Sequence, residues 1–114
     1  MQGAKNRVLS AHFVFLLGAN PSAIAARSRE GIPARLGLVV SKRAGNAVVR
    51  ARIKRLCREV FRCQPGLLPD GVDLVVIARP PEVPTTLAGV QSEWRTIEPI
   101  LARKARALIE REGL

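Results

Sequence analysis

The 114-residue sequence predicts an α+β fold in which one small sheet is covered by two helices. Two observations indicate this class: four short apolar runs with the composition of strands, and two longer segments with apolar residues at helical spacing. Their order along the chain predicts the arrangement β-β-β-α-β-α. A chain of this length supports one hydrophobic core, so residues 1–114 are interpreted as a single domain.

The predicted strands are short and end at turn-forming residues. A brief strand is expected at Arg7–Ser10, and "HFVFLLGAN" reads as a second strand that Gly18 and Pro21 stop. "PSAIAARSREGIP" indicates a loop with room for a brief helical turn, followed by the strand "RLGLVVSK". "VDLVVIA" is a continuous run of β-branched type, which predicts a central strand buried on both faces.

The second helix is predicted from about Thr86 to Glu110 by a single apolar stripe. The stripe consists of Trp94, Ile97, Leu101, Ala105 and Leu108. Pro99 lies inside this pattern and predicts a kink or a break just before it.

The charge balance indicates a polyanionic partner. The chain has 19 Lys and Arg against 9 Asp and Glu, a formal net charge of +10. Such an excess attracts nucleic acid or anionic membrane at long range. No apolar run approaches the ~20 residues that span a bilayer, and "MQGAKNRV" has no apolar segment behind it to form a secretory signal. A soluble cytoplasmic protein is therefore expected.

The two cysteines predict neither a disulfide nor a zinc site. Cys57 and Cys63 are six residues apart on a predicted helix and point to different sides, so they do not bridge each other. With the one histidine, His12, they are too few for a zinc site. Cys57 is interpreted as a core residue and Cys63 as a helix-end residue, and no specific metal site is predicted on the protein.

The segment "GNAVVRARIKRLCREVFR" (45–62) predicts a helix with one apolar face and one basic face. Asn46 is a suitable N-cap, and the apolar residues from Val49 to Val60 are expected to pack on the sheet. Adjacent like charges on the other face repel each other, which favours a phosphate partner that neutralises them. The basic arc consists of Arg50, Arg52, Lys54, Arg55, Arg58 and Arg62.

Three other interpretations of this helix are weaker. A solvated cationic face normally mixes charge signs, and a membrane-surface helix needs apolar area that this helix uses for the core. A DNA reader of helix-turn-helix type needs a preceding helix, which the pattern does not provide.

The turn before the helix adds a second phosphate-binding feature. "SKRAGN" brings Lys42 and Arg43 to a glycine-containing turn at a helix N-terminus. Free backbone N–H groups and the positive end of the helix dipole favour an anion there.

At these residues the sequence resembles the protein subunit of bacterial ribonuclease P. "RLGLVVSKRAGNAVVRARIKRLCREVFR" at 35–62 and "DLVVIARP" at 73–80 match that family's pattern nearly position for position, and the similarity covers roughly residues 3–110. The resemblance implies an α/β sandwich of ribosomal-protein type. It also implies a left-handed βαβ crossover, although such crossovers are right-handed in ~98% of proteins.

The resemblance further implies an accessory subunit of an endoribonuclease. In that family a catalytic RNA, with Mg²⁺ bound mainly by the RNA, removes the 5′ leader from precursor tRNA. The protein is expected to bind this RNA one-to-one and to contact the leader on its sheet, with no catalytic residue of its own. The implied RNA-binding residues are Lys42, Arg43, Asn46, Arg50, Arg52, Lys54, Arg55, Arg58 and Arg62, and the leader-contact candidates are Phe13, Phe15 and Leu16.

Two departures from the family pattern affect these expectations. Ala51 stands where the family usually has Asn between two arginines. The absence of one hydrogen bond costs ~0.5–1.5 kcal/mol, so weaker binding is expected and not its abolition. Gly3 aligns just after the family's usual first helix, which is therefore expected to be missing, and Leu16 replaces a frequent Tyr. The alternative function is a ribosomal or ribosome-associated RNA-binding protein without a catalytic role.

Overall fold

The computed structural model describes residues 6–114 and has the predicted order of strands and long helices. The segment with room for a helical turn forms a short helix that Asn20 caps, its side-chain oxygen accepting from the Ser22 N–H at 2.8 Å. The elements are β1 (Arg7–Leu9), β2 (Phe13–Ala19), α1 (Pro21–Ala26), β3 (Arg35–Val39), α2 (Ala47–Arg62), β4 (Val72–Ala78) and α3 (Leu87–Glu112), with a 3₁₀ turn at Lys42–Ala44 before α2.

The four strands form one sheet in the order β1-β2-β4-β3. β2 is antiparallel to both β1 and β4, whereas β3 and β4 are parallel neighbours. Parallel neighbours need a crossover connection, and α2 provides it. The left hand expected for this crossover stays a prediction, as does the missing first helix of the family, which concerns residues outside those described.

Both long helices pack on the same face of the sheet, here called the covered face. α3 contacts β1 and β2, α2 contacts β3, and the two helices contact each other. Trp94 of α3 packs edge-on against Phe15 of β2 with ring centroids 5.2 Å apart. Every residue of the predicted α3 stripe is buried, which confirms that prediction. The strand residues buried on this face are Val8, Phe13, Phe15, Leu17, Val72, Leu74, Val76 and Ala78.

The opposite face, here called the open face, has no such cover among residues 6–114. Alternation along β4 leaves Asp73, Val75 and Ile77 half-buried. The prediction that this strand is buried on both faces is therefore wrong, because α2 and α3 lie on one side only. The open face consists of Arg7, Leu9, Val14, Leu16, Gly18, Arg35, Gly37, Val39, Asp73, Val75 and Ile77.

No break occurs at Pro99, because α3 is continuous from Leu87 to Glu112. The proline removes one backbone hydrogen bond from the helix ladder. Trp94, Ile97 and Leu101 are buried on either side of it. Their packing against the sheet holds the helix together where its local hydrogen bonding is weakened.

A polar cluster fastens α3 to the turn between β1 and β2. The Glu93 carboxylate accepts hydrogen bonds from the Ser10 hydroxyl and from the His12 backbone N–H at 2.6 Å, and it lies 2.8 Å from His12 Nδ1. Burial alone would raise the pKa of Glu93, but the hydrogen bonds from Ser10 and His12 outweigh it and lower that pKa. The ionised carboxylate is thus the form that stabilises the fold.

Candidate nucleic-acid interface

The turn that leads into α2 has a conformation that favours glycine. Gly45 has a φ of 144°, and a Cβ at this position would lie 2.9 Å from Cβ of Val49. The Asn46 side-chain oxygen accepts from the Val49 N–H at 2.9 Å, which confirms the predicted cap. Lys42 and Arg43 are exposed in the 3₁₀ turn just before it. Since the cap occupies the Asn46 oxygen, its side-chain amide N–H groups are what it can offer a partner.

Burial divides α2 into the two predicted faces. Ile53, Leu56, Cys57 and Val60 are buried against the sheet. Burial raises the pKa of the Cys57 thiol to about 12, so this cysteine is an inert core residue. Cys63 is exposed at the C-cap, and both interpretations of the cysteines are confirmed.

The cationic side chains on the outer face of α2 differ in whether a hydrogen bond to the protein fixes them. Arg50 Nε donates to the Gly45 carbonyl at 3.2 Å, and Arg52 Nε donates to the Thr85 carbonyl at 2.6 Å. These bonds fix the side chains without neutralising them, because the acceptors carry no formal charge. Lys54 is half-buried, whereas Arg55 and Arg58 are exposed.

Arg62 differs from the others because it has an acidic neighbour. Its Nη2 lies 2.6 Å from Oε1 of Glu59, the acid at the edge of the arc. The hydrogen bond from Arg62 lowers the pKa of Glu59, and the same bond raises the pKa of Arg62. Within residues 6–114, Arg62 is the one member of the arc that forms an ion pair, so the other five carry the charge that a polyanion would meet.

Ala51 lies in the middle of the basic arc and forms part of a shallow, open hollow. Val48, exposed to 77%, and Ala51 give it apolar walls, and three arginines surround them. The short side chain thus leaves open space where a longer polar residue would project. The arginines are Arg52, Arg55 and Arg58.

Two of the three leader-contact candidates are misplaced. Phe13 and Phe15 are fully buried, and Phe15 packs against Trp94. The structure therefore does not present these two candidates to a partner, because Phe13, Phe15 and Leu17 of β2 point to the covered face. Leu16 points the other way and is half-buried on the open face.

The other residues of the open face were not predicted from the sequence. Val75 of β4 is the register partner of Leu16, and Arg35 of β3 pairs with Asp73. Arg35 Nη2 lies 2.6 Å from Oδ2 of Asp73, and Arg35 Nε lies 3.1 Å from Oδ1. The signal in the sequence was the single acid in "VDLVVIA", because a charged residue inside an apolar strand indicates that one face is accessible.

No helix in the described part of the chain is long and apolar enough to cross a membrane. Across residues 6–114 no three His, Cys, Asp or Glu side chains come together as metal ligands would.

Comparison with known proteins gives one consistent result. The family model described as Ribonuclease P matches residues 2–101. The chain is 49% identical over 57 residues to the ribonuclease P protein component of Brevibacillus brevis and 43% identical over 79 residues to that of Shouchella clausii. These matches cover 50% and 63% of this chain, and 45% and 65% of the two relatives.

Structural similarity extends further along the chain. The structure of the Staphylococcus aureus RNase P protein superposes with a TM-score of 0.65 at 33% identity, covering 82% of this chain and 78% of that one. The family match includes the turn, the basic helix and the sheet described above. The chain therefore belongs to the ribonuclease P protein family.

Proposed function

We propose that this chain is the accessory protein subunit of ribonuclease P, which assists removal of the 5′ leader from precursor tRNA. It binds the catalytic RNA through the turn at Lys42–Ala44 and the outer face of α2. The observation that carries the proposal is the family's sequence pattern folded into a helix whose buried face is apolar and whose outer face presents five cations that form no ion pair within residues 6–114.

Cleavage of the phosphodiester bond is assigned to the catalytic RNA. Cleavage of a phosphodiester by water needs an activated nucleophile, which Mg²⁺ bound by the RNA would supply. The outer face of α2 offers guanidinium and ammonium groups, which attract phosphates but are poor proton acceptors at neutral pH. The role of the protein is to bind and position RNA, with one protein for each RNA.

The open face is assigned to the 5′ leader. Leu16, Val75 and Ile77 form a half-buried apolar strip that can contact bases. Arg7 and Arg35 lie on the same face and can attract phosphates, although Asp73 neutralises part of the Arg35 charge. With Phe13 and Phe15 in the core, the strip has no aromatic side chain, so aliphatic contact replaces the aromatic stacking worth ~1–3 kcal/mol per base. Leader binding by this chain is therefore expected to be weak.

The test is cleavage of precursor tRNA by a bacterial ribonuclease P RNA at low Mg²⁺, with and without the protein. The wild-type chain is expected to stimulate release of the leader. Arg55→Gln with Arg58→Gln removes two exposed charges and is expected to lose most of the stimulation. Arg27→Gln with Arg29→Gln is the matched control, since it removes the same charge in the segment after α1.

Three outcomes decide whether the proposed function is correct. Stimulation that the α2 variant loses and the control retains supports the proposal. Equal loss in both variants indicates a general charge effect and contradicts it. Failure of the wild-type chain to bind the RNA would also overturn the proposal and would favour the alternative of a ribosomal or ribosome-associated protein.

A further inference from the structure

The outer face of α3 carries a basic stripe that the proposed function does not use. Arg95, Arg103 and Arg106 are all exposed, and at 100° per residue they fall within about 80° of one another around the helix. Arg95 and Arg103 are ~12 Å apart along the axis, and Arg106 lies ~4.5 Å further on. None of the three has a hydrogen-bond or ion-pair partner within residues 6–114.

Within residues 6–114, no acid of the same helix forms an ion pair with this stripe. Glu93 is engaged with Ser10 and His12, and Glu98 is half-buried with one carboxylate oxygen shielded from solvent. From Leu87 to Ile109, every exposed charged residue of α3 is an arginine. A solvated helix normally stabilises itself with oppositely charged pairs one turn apart. Glu110 and Glu112 are exposed in the last turn of α3, but within residues 6–114 Arg95, Arg103 and Arg106 form no such pair.

The stripe lies on the same side of the molecule as the basic face of α2. Both helices pack on the covered face of the sheet and contact each other, so their outer faces point away from the open face together. Arg52 of α2 also bonds to Thr85, immediately before α3 begins at Leu87. The two basic faces are thus neighbouring parts of one helical layer.

We propose that the α3 stripe, Arg95, Arg103 and Arg106, is a second RNA-binding surface, which holds a phosphodiester backbone of the ribonuclease P RNA beside the segment bound by α2. The inference rests on the proposed function, because it assigns the RNA of that complex to this surface. It extends the interface from one helix to two.

The chemistry of the stripe favours backbone contacts over base recognition. The exposed residues between the arginines are small or short, such as Thr96 and Pro99, so a phosphate chain can approach the helix closely. None of these exposed positions carries an aromatic ring or a side-chain amide, the groups that stack on bases or pair with their edges. Binding here is expected to depend strongly on salt and weakly on sequence.

The experiment measures the affinity for a ribonuclease P RNA as a function of salt concentration. The test variant is Arg95→Gln with Arg103→Gln and Arg106→Gln. Removing one arginine–phosphate interaction reduces the slope of log K against log salt by ~0.9 when the value for B-DNA is used, so a decrease of about 2–3 is expected for three arginines. The same three positions changed to Lys keep the charge and are expected to keep most of the slope.

Two reference variants make the outcome decisive. Arg55→Gln with Arg58→Gln tests α2, and Arg27→Gln with Arg29→Gln tests the effect of removing charge elsewhere. A reduced slope for the α3 variant, beyond the per-charge effect of the control, supports the inference. An unchanged slope for α3 beside a reduced slope for α2 overturns it while leaving the proposed function intact, and would make an acidic protein the next partner to test. Unchanged slopes for both helices overturn the proposed function as well.

Discussion

The two faces of the sheet are built from the same strands but have opposite properties. On the covered face, Phe15, Leu17 and Leu74 are fully buried beneath the two long helices. On the open face, their neighbours Leu16 and Val75 remain half-exposed, although they are equally apolar. Hydrophobicity therefore does not decide which strand residues are buried in this protein. The positions of the two helices decide it.

The covered face therefore serves mainly stability, whereas the open face remains available for binding. The covered face supplies the core, and the helices above it turn their charged sides outward. The open face contributes less to the core and keeps apolar groups accessible to a partner. The proposed RNA surfaces are consequently on opposite sides, with the catalytic RNA against the helices and the leader against the sheet.

The largest difference between the two faces is expected when two adjacent leucines of β2 are each changed to alanine. Leu17→Ala removes a fully buried side chain and is expected to lower the free energy of unfolding by ~2–5 kcal/mol. Leu16→Ala removes a half-buried one on the open face, and about half of that loss or less is expected. Urea denaturation of both variants measures the difference.

The two leucines serve as controls for each other, because they have the same chemistry, strand and neighbours in sequence. Equal losses would show that the open face is covered in the folded protein in solution. In that case the assignment of the leader to this face would be wrong.

A smaller effect is expected at Glu93, which ties α3 to the turn between β1 and β2. Glu93→Gln keeps the shape but loses the charge that Ser10 and His12 bind, so stability at pH 7 should fall by ~1–2 kcal/mol. Because the folded-state pKa of Glu93 is lowered, its contribution is present above its unfolded pKa and is lost as the pH falls through the folded one.

The measurement is unfolding of both proteins from pH 7 down to about pH 3. The stabilities of wild type and variant should converge at the acid end. A constant difference across this range would show that the carboxylate charge is not what holds the turn to the helix.

Much of the fold could be predicted because strong local signals agree with the packing. Apolar residues at helical spacing predicted α2 and its two faces, and Asn46 predicted where the helix begins. The apolar stripe from Trp94 to Leu108 predicted α3 even though Pro99 interrupts its hydrogen bonding, since packing outweighs that interruption.

The errors arose where burial depends on elements distant in sequence. Nothing local in "HFVFLLGAN" distinguishes Phe15 from Leu16, because both suit a strand. Trp94, nearly 80 residues later, determines which of them is buried. The α3 stripe was likewise overlooked, since the sequence alone does not show that Glu93 is engaged with Ser10 and His12 or that Glu98 is half-buried.

The most direct test of the central claim is protection of arginines by RNA. Arginine-specific modification with phenylglyoxal, mapped by mass spectrometry, would be compared with and without a ribonuclease P RNA and in the absence of precursor tRNA. Arg55 and Arg58 on the helical side are expected to become protected, while Arg7 and Arg35 on the open face are expected to remain as reactive as before. Protection of Arg7 and Arg35 with continued reactivity of the α2 arginines would contradict it.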